Sequence, residues 1–151
     1  MLANTLHQFN RYYGAHNMES TNPYPGIPEL LRELHDRGLQ MAVCSNKADE
    51  FSRVIVEHYF PGIFRLVRGN IPGTPVKPDP GVAKGIMERL GAEPGETLMV
   101  GDSDVDIHTG HNAGLRACGV TWGFRSRENL VDAGADVLAD TTAELKAVIL
   151  G

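Results

Sequence analysis

The sequence has no run of basic residues, no long apolar stretch, and only two cysteines and one tryptophan among 151 residues. Each shortage excludes something. With a net charge of −5 and no basic patch to neutralise a phosphate backbone, nucleic acid is not an expected partner. The uncharged apolar runs are strand-sized, too short for a membrane span. Met1-Leu2-Ala3-Asn4 lacks the basic-then-apolar order of a secretory signal. Cys44 and Cys118 each sit inside an apolar, strand-like run, which fits a reducing cytoplasm better than a disulfide scaffold. The six histidines are scattered, with no cysteine-supported ligand spacing. His108 and His111 lie three apart on one predicted helix, a spacing more often solvated than ligating, and take no role.

What remains is an ordinary soluble composition, 42% hydrophobic and 22% charged, on a length that suits one domain with a real core. Residues 5–16 predict a helix with Leu6, Phe9, Tyr12 and Tyr13 on its apolar stripe, ended by the polar, proline-containing stretch that follows. From residue 27 onward, helical and strand patterns alternate. Pro28 opens a helix that Gly38 stops, and residues 39–44 read as a strand. Asp49 can cap the next helix, residues 63–67 form a minor strand, and residues 68–80 are loop. Asp79-Pro80 then opens a helix reaching Leu90-Gly91. Residues 98–100, 116–121 and 135–138 read as further strands. Helices are expected at 105–113, from Ser126, and after the capping box Thr141-Thr142-Ala143-Glu144. Such alternation argues an α/β fold with a mostly parallel sheet and helices on both faces.

Chemistry gathers at the strand ends. Leu98-Met99-Val100-Gly101 is an apolar strand followed by Asp102, Asp104 and Asp106. Carboxylates crowded there repel one another unless a cation compensates, and ligands of α/β sheets bind beyond the carboxyl ends of the strands. A hard cation, Mg²⁺, is the natural candidate; the plain alternative is an acidic loop with a capping aspartate. Ser45-Asn46 offers a hydroxyl and an amide after the 39–44 strand, suited to phosphate oxygens or merely to a turn. Lys77 stands among prolines in Val76-Lys77-Pro78-Asp79-Pro80, either a fixed cation or a solvated loop charge. Together, a donor pair, an ammonium and a carboxylate-held Mg²⁺ are what binding a phosphoryl group requires.

In these residues the chain, from about Pro23 to Leu150, resembles the haloacid dehalogenase (HAD) superfamily, and most its phosphoglycolate-phosphatase branch. Tyr24-Pro25-Gly26-Ile27-Pro28-Glu29-Leu30-Leu31 resembles the return from cap to core. Val43-Cys44-Ser45-Asn46-Lys47 resembles the second family motif, Lys77-Pro78-Asp79-Pro80 the third, and Gly101-Asp102-Ser103-Asp104-Val105-Asp106 the fourth. The resemblance implies a HAD-like Rossmannoid three-layer sandwich and Mg²⁺-dependent hydrolysis of a small phosphorylated metabolite. It implies that Ser45 and Asn46 bind the phosphoryl group and that Lys77 balances its charge. Asp102 would ligate Mg²⁺, with Asp106 supporting it directly or through water. Asp104 matches a variable position.

One departure matters. The family's nucleophile is the first aspartate of an Asp-x-Asp closing an N-terminal strand. Before residue 39 the only aspartate here is Asp36, in the helix tail His35-Asp36-Arg37-Gly38. Asp102-Ser103-Asp104 has the right spacing, but it follows the serine and lysine motifs and so suits the fourth motif. The expectation is therefore a core domain over 21–151 preceded by a cap remnant over 1–20, with the central strand missing between the 39–44 and 116–121 strands. Such a gap exposes two strand edges, which a homodimer or strand exchange would cover. Two alternatives stand beside a truncated, impaired phosphatase. One is a non-catalytic phosphate- and Mg²⁺-binding remnant, or half of a split enzyme. The other is a receiver-like signalling domain, whose acidic residues would precede the hydroxyl residue, the reverse of the order here. Trp122-Gly123-Phe124-Arg125 follows a strand end and could line the site's rim or simply pack.

Overall fold

In the computed structural model, which describes residues 4–7, 26–122 and 126–151, six parallel strands form one sheet between two helical layers. The elements run β1 (Asn4–His7), α1 (Ile27–Asp36), β2 (Gln40–Ala48), α2 (Asp49–Tyr59), β3 (Leu66–Asn70), α3 (Gly81–Leu90), β4 (Thr97–Gly101), α4 (Asp104–Asn112), β5 (Arg116–Val120), α5 (Arg127–Asp132), β6 (Val137–Ala139) and α6 (Thr142–Leu150). The strand order is β3-β2-β1-β4-β5-β6. From residue 26 onward the predicted alternation appears as expected, with element ends moved by a few residues.

The period-two alternation of the strands builds two cores. Met41 and Val43 of β2, Val100 of β4 and Cys118 of β5 face α1, α2 and α6, where Leu31, Leu34, Ile55 and Leu145 are buried. Their neighbours Ala42, Cys44, Met99 and Ala117 face α3, α4 and α5, against Ile86, Ile107 and Leu130. Each such fully buried Leu or Ile contributes about 1.5–3 kcal/mol. At the start of α1, Gly26 takes φ +93°, and a Cβ there would lie 2.8 Å from the Thr142 hydroxyl at the start of α6. Only glycine allows that approach.

Two expectations are corrected at the amino end. Residues 5–7 are strand, not helix; residues 8–25, where the predicted helix and most of the cap remnant fall, lie outside the described residues. The expected central gap is filled by β1, whose Asn4 to His7 pair in register with Gln40 to Val43 of β2 and with Thr97 to Val100 of β4. Its flanking strands are thus β2 and β4, not the 116–121 strand, which lies one place further out as β5. The physical reason is edge satisfaction: four residues paired on both sides cover backbone groups that an empty slot would leave unbonded. With those inner edges paired, the reason given for a covering dimer no longer holds there. Among the described residues no helix is long and apolar enough to cross a membrane.

Candidate active site

Ser45 and Asp102 lie near the carboxyl ends of β2 and β4, on either side of β1, and Lys77 pairs with Asp106 in the first turn of α4. Ser45 lies on β2, where the pairing with β3 slips between Cys44 and Ala48; such irregularities re-aim side chains at sheet rims. Ser45 is buried, at 7% exposure. Asn46 follows it on β2, but its side chain lies outside the described residues. Asp102 sits just past β4, buried at 4% exposure.

Lys77 arrives from the loop before α3 and is taken fully inside, its side chain 1% exposed. Its Nζ donates to Asp106 Oδ1 at 2.6 Å, and Asp106 is equally buried. A buried ammonium carries a desolvation penalty of several kcal/mol, which the facing Asp106 carboxylate offsets.

Asp106 owes its place to the helix start. Ser103 is the N-cap of α4, its Oγ accepting from Asp106 N at 3.4 Å. Asp106 occupies the third helical position and reaches back, Oδ2 accepting from Asp102 N at 3.0 Å and from Ser103 Oγ at 3.2 Å. This is a capping-box exchange displaced by one residue. The Asp106 side chain also lies against Gly101, where any Cβ would collide with Asp106 Cβ, Cγ and Oδ2. Gly101 is therefore part of the site by what it omits.

Charge at this end is felt locally. Burial pushes the Cys44 thiol up to about 11, with Lys77 pulling the other way and Asp106 adding to the rise. Cys44 is thus a neutral core thiol beside the pair.

Among the described residues no group of three or more His, Cys, Asp or Glu is placed to hold a metal ion. Mg²⁺, however, characteristically takes one or two carboxylates and completes its octahedron with water and substrate phosphate. Asp102 suits that first position. Asp106 has three donors on its two oxygens, leaving little capacity for a cation. The donor set fits Mg²⁺ held through Asp102, with Asp106 serving Lys77.

Asp104 points elsewhere in role: its N–H donates to Asn129 Oδ1 at 3.1 Å, tying α4 to α5. Trp122 is half-buried and packs on the core shared by α1, α2 and α6, while residues 123–125 lie outside the described residues. A surface groove between α2 and β3, lined by Val56, Phe60, Phe64 and Val67 among others, holds none of the predicted site residues. Sequence reading gave no role to Gly101, Ser103 or Asn112. The signals were there for the first two, as a glycine closing an apolar strand and a serine three before an acid; for Asn112 there was none.

Residues 2–120 match the family described as haloacid dehalogenase-like hydrolase. The chain is 34% identical over 143 residues to a phosphoglycolate phosphatase of Vibrio vulnificus, covering 94% of this chain and 63% of that protein. It is 37% identical over 117 residues to the phosphoglycolate phosphatase of Aquifex aeolicus, covering 77% and 55%. A crystal structure from Lactobacillus delbrueckii subsp. bulgaricus, described as a candidate phosphoglycolate phosphatase, superposes with a TM-score of 0.83 at 37% identity, over 89% of this chain and 58% of that one. The chain thus spans about three-fifths of the length of the relatives it matches.

Proposed function

The chain belongs to the haloacid dehalogenase-like hydrolase family, and from that premise we propose that it carries the phosphate- and cation-holding side of a Mg²⁺-dependent phosphatase site. The substrate class is a small phosphorylated metabolite, with phosphoglycolate suggested by the relatives' activity. One observation carries the reading: a buried ammonium, Lys77, is fixed at 2.6 Å on Asp106 at the sheet end where Ser45 and Asp102 also emerge.

In this reading the Ser45 hydroxyl donates to a phosphoryl oxygen, with Asn46 beside it. Lys77, held by Asp106, offsets the charge that builds on the phosphoryl oxygens. Asp102 would hold Mg²⁺, which supplies Lewis-acid stabilisation of the transferring group. Burial of Lys77 and Asp102 strengthens these interactions relative to water.

A second reading, binding without turnover, is favoured by one feature of the sheet. β1, the strand between β2 and β4, has the sequence Asn4-Thr5-Leu6-His7, which contains no aspartate or glutamate. Loss of a nucleophile generally costs several orders of magnitude in rate. The test is phosphate release from an aryl phosphate and from phosphoglycolate, with and without Mg²⁺, beside Asp102→Asn. Mg²⁺-dependent turnover abolished in Asp102→Asn supports the phosphatase reading. If turnover is absent, an added N-terminal segment bearing Asp-x-Asp decides, because rescue supports an impaired phosphatase and continued silence supports binding alone.

A further inference from the structure

Lys77 belongs to a loop, residues 71–80, whose own bonds are short turns: Thr74 N to Ile71 O at 3.0 Å and Asp79 N to Val76 O at 3.0 Å. Ile71 and Val76 of the same loop are exposed, at 36% and 41%. At its far end the loop joins α3, where Gly81 N donates to Asp79 Oδ1 at 2.8 Å and Lys84 N to Pro80 O at 2.9 Å. Yet Lys77 is as buried as the core.

Helix α4 grips this loop at two points. At its first turn, Asp106 Oδ1 accepts from Lys77 Nζ. At its last residue, Asn112 Nδ2 donates to Pro78 O at 2.9 Å. The second bond joins residues 34 apart in sequence, and it falls on the carbonyl next to Lys77. Asp106 holds the ammonium at the tip of the side chain, not the backbone that carries it. A bond on the following carbonyl fixes where the lysine stem begins.

We infer that Asn112 is a positioning residue for Lys77, and that α4 acts as a two-point clamp setting the ammonium against the phosphate site. The inference rests on the reading of Lys77 as the cation that meets phosphate, but its first test does not need phosphate. Lysines are acylated with acetic anhydride and the rates read by mass spectrometry in the whole chain. Lys77 should react far more slowly than Lys84 and Lys146, the latter 40% exposed. The Asn112–Pro78 bond is exposed, so Asn112→Ala should raise the Lys77 rate by about twofold, the low end of one hydrogen bond's worth, with Lys84 and Lys146 unchanged. Asn112→Asp keeps the shape but not the donor and should match Asn112→Ala. The second arm titrates inorganic phosphate in Mg²⁺. Asn112→Ala should weaken binding by a similar factor, and should add nothing in a Lys77→Ala background.

Lys77 labelling unchanged in Asn112→Ala, a rise in all lysines together, or Asn112→Asp behaving as wild type would each overturn the clamp. So would an undiminished Asn112 effect in Lys77→Ala. Wild type that protects Lys77 through Asn112 but fails to bind phosphate would leave the clamp standing and sink the proposed function instead.

Discussion

Lys77–Asp106 and Arg127–Asp140 are ion pairs of equal length, 2.6 Å, in opposite surroundings. The first has both side chains 1% exposed; the second has them 57% and 51% exposed. Arg127 and the Thr121 hydroxyl hold the Asp140 carboxyl below the usual range, the Thr121 bond contributing most, yet water screens whatever that pair gains. In the buried pair water cannot substitute for a missing partner. Distance therefore says little about what an ion pair does, and burial says whether its loss can be absorbed.

The comparison breaks if both pairs respond alike to truncation. Asp106→Ala removes the carboxylate that faces a buried ammonium and should destabilise the fold by about 3–5 kcal/mol in urea unfolding. Asp140→Ala should leave the midpoint within scatter. Replacing Lys77 and Asp106 together by Met and Leu should recover most of the loss, although it removes the phosphate-facing cation. A double variant as unstable as Asp106→Ala would mean that Asp106 matters for the Asp102 and Ser103 bonds more than for Lys77.

Gly101→Ala sharpens the same contrast without touching a charge. Its Cβ falls on the Asp106 carboxylate, so either the strand end shifts or Asp106 leaves Lys77. Overpacking of this kind costs about 1–3 kcal/mol, and phosphate binding should fall with it. Stability lost while phosphate binding stays intact would show that Asp106 can move without taking Lys77 along.

How far the sequence disclosed this arrangement follows the range of the interactions. From residue 26 onward the helices and strands follow local periodicity, and Thr141 caps α6 as its capping box suggested, whereas Asp49 lies inside α2, whose N-cap is Ala48. The site's members were legible because each closes an apolar run or opens a helix. Their division of labour was not. That Asp106 answers Lys77 across 29 residues, and that Asn112 reaches Pro78 across 34, depends on how α4 lies against the 71–80 loop, which no short-range pattern encodes. The amino end misled for a related reason. Helical spacing in residues 5–16 is a local signal, whereas the pairing of Asn4–His7 is set by two strands, β2 and β4, whose facing edges it satisfies.

The smallest effect expected lies between the two extremes of burial. Asp136, at the entry to β6, takes Ala117 N and His111 Nε2 on one oxygen, Oδ2, both at 2.8 Å. Its side chain is 38% exposed. Partial burial pushes its carboxyl up, but the Ala117 and His111 hydrogen bonds and the nearby charges of His111 and Arg116 outweigh that and leave it below the usual range. A carboxyl held low when folded binds its proton less readily than in the unfolded chain. Its contribution is therefore present above the unfolded value, about 3.9, and is lost as pH falls through the folded value. Asp136→Asn keeps an oxygen for Ala117 N but drops the charge. At pH 6 it should cost well under about 1 kcal/mol, given the exposure, and the gap from wild type should close as pH is lowered from 5 towards 2. A gap independent of pH over that range would assign the whole effect to the neutral hydrogen bond from Ala117. It would then place this half-exposed pair with Arg127–Asp140, among contacts whose charge water already answers.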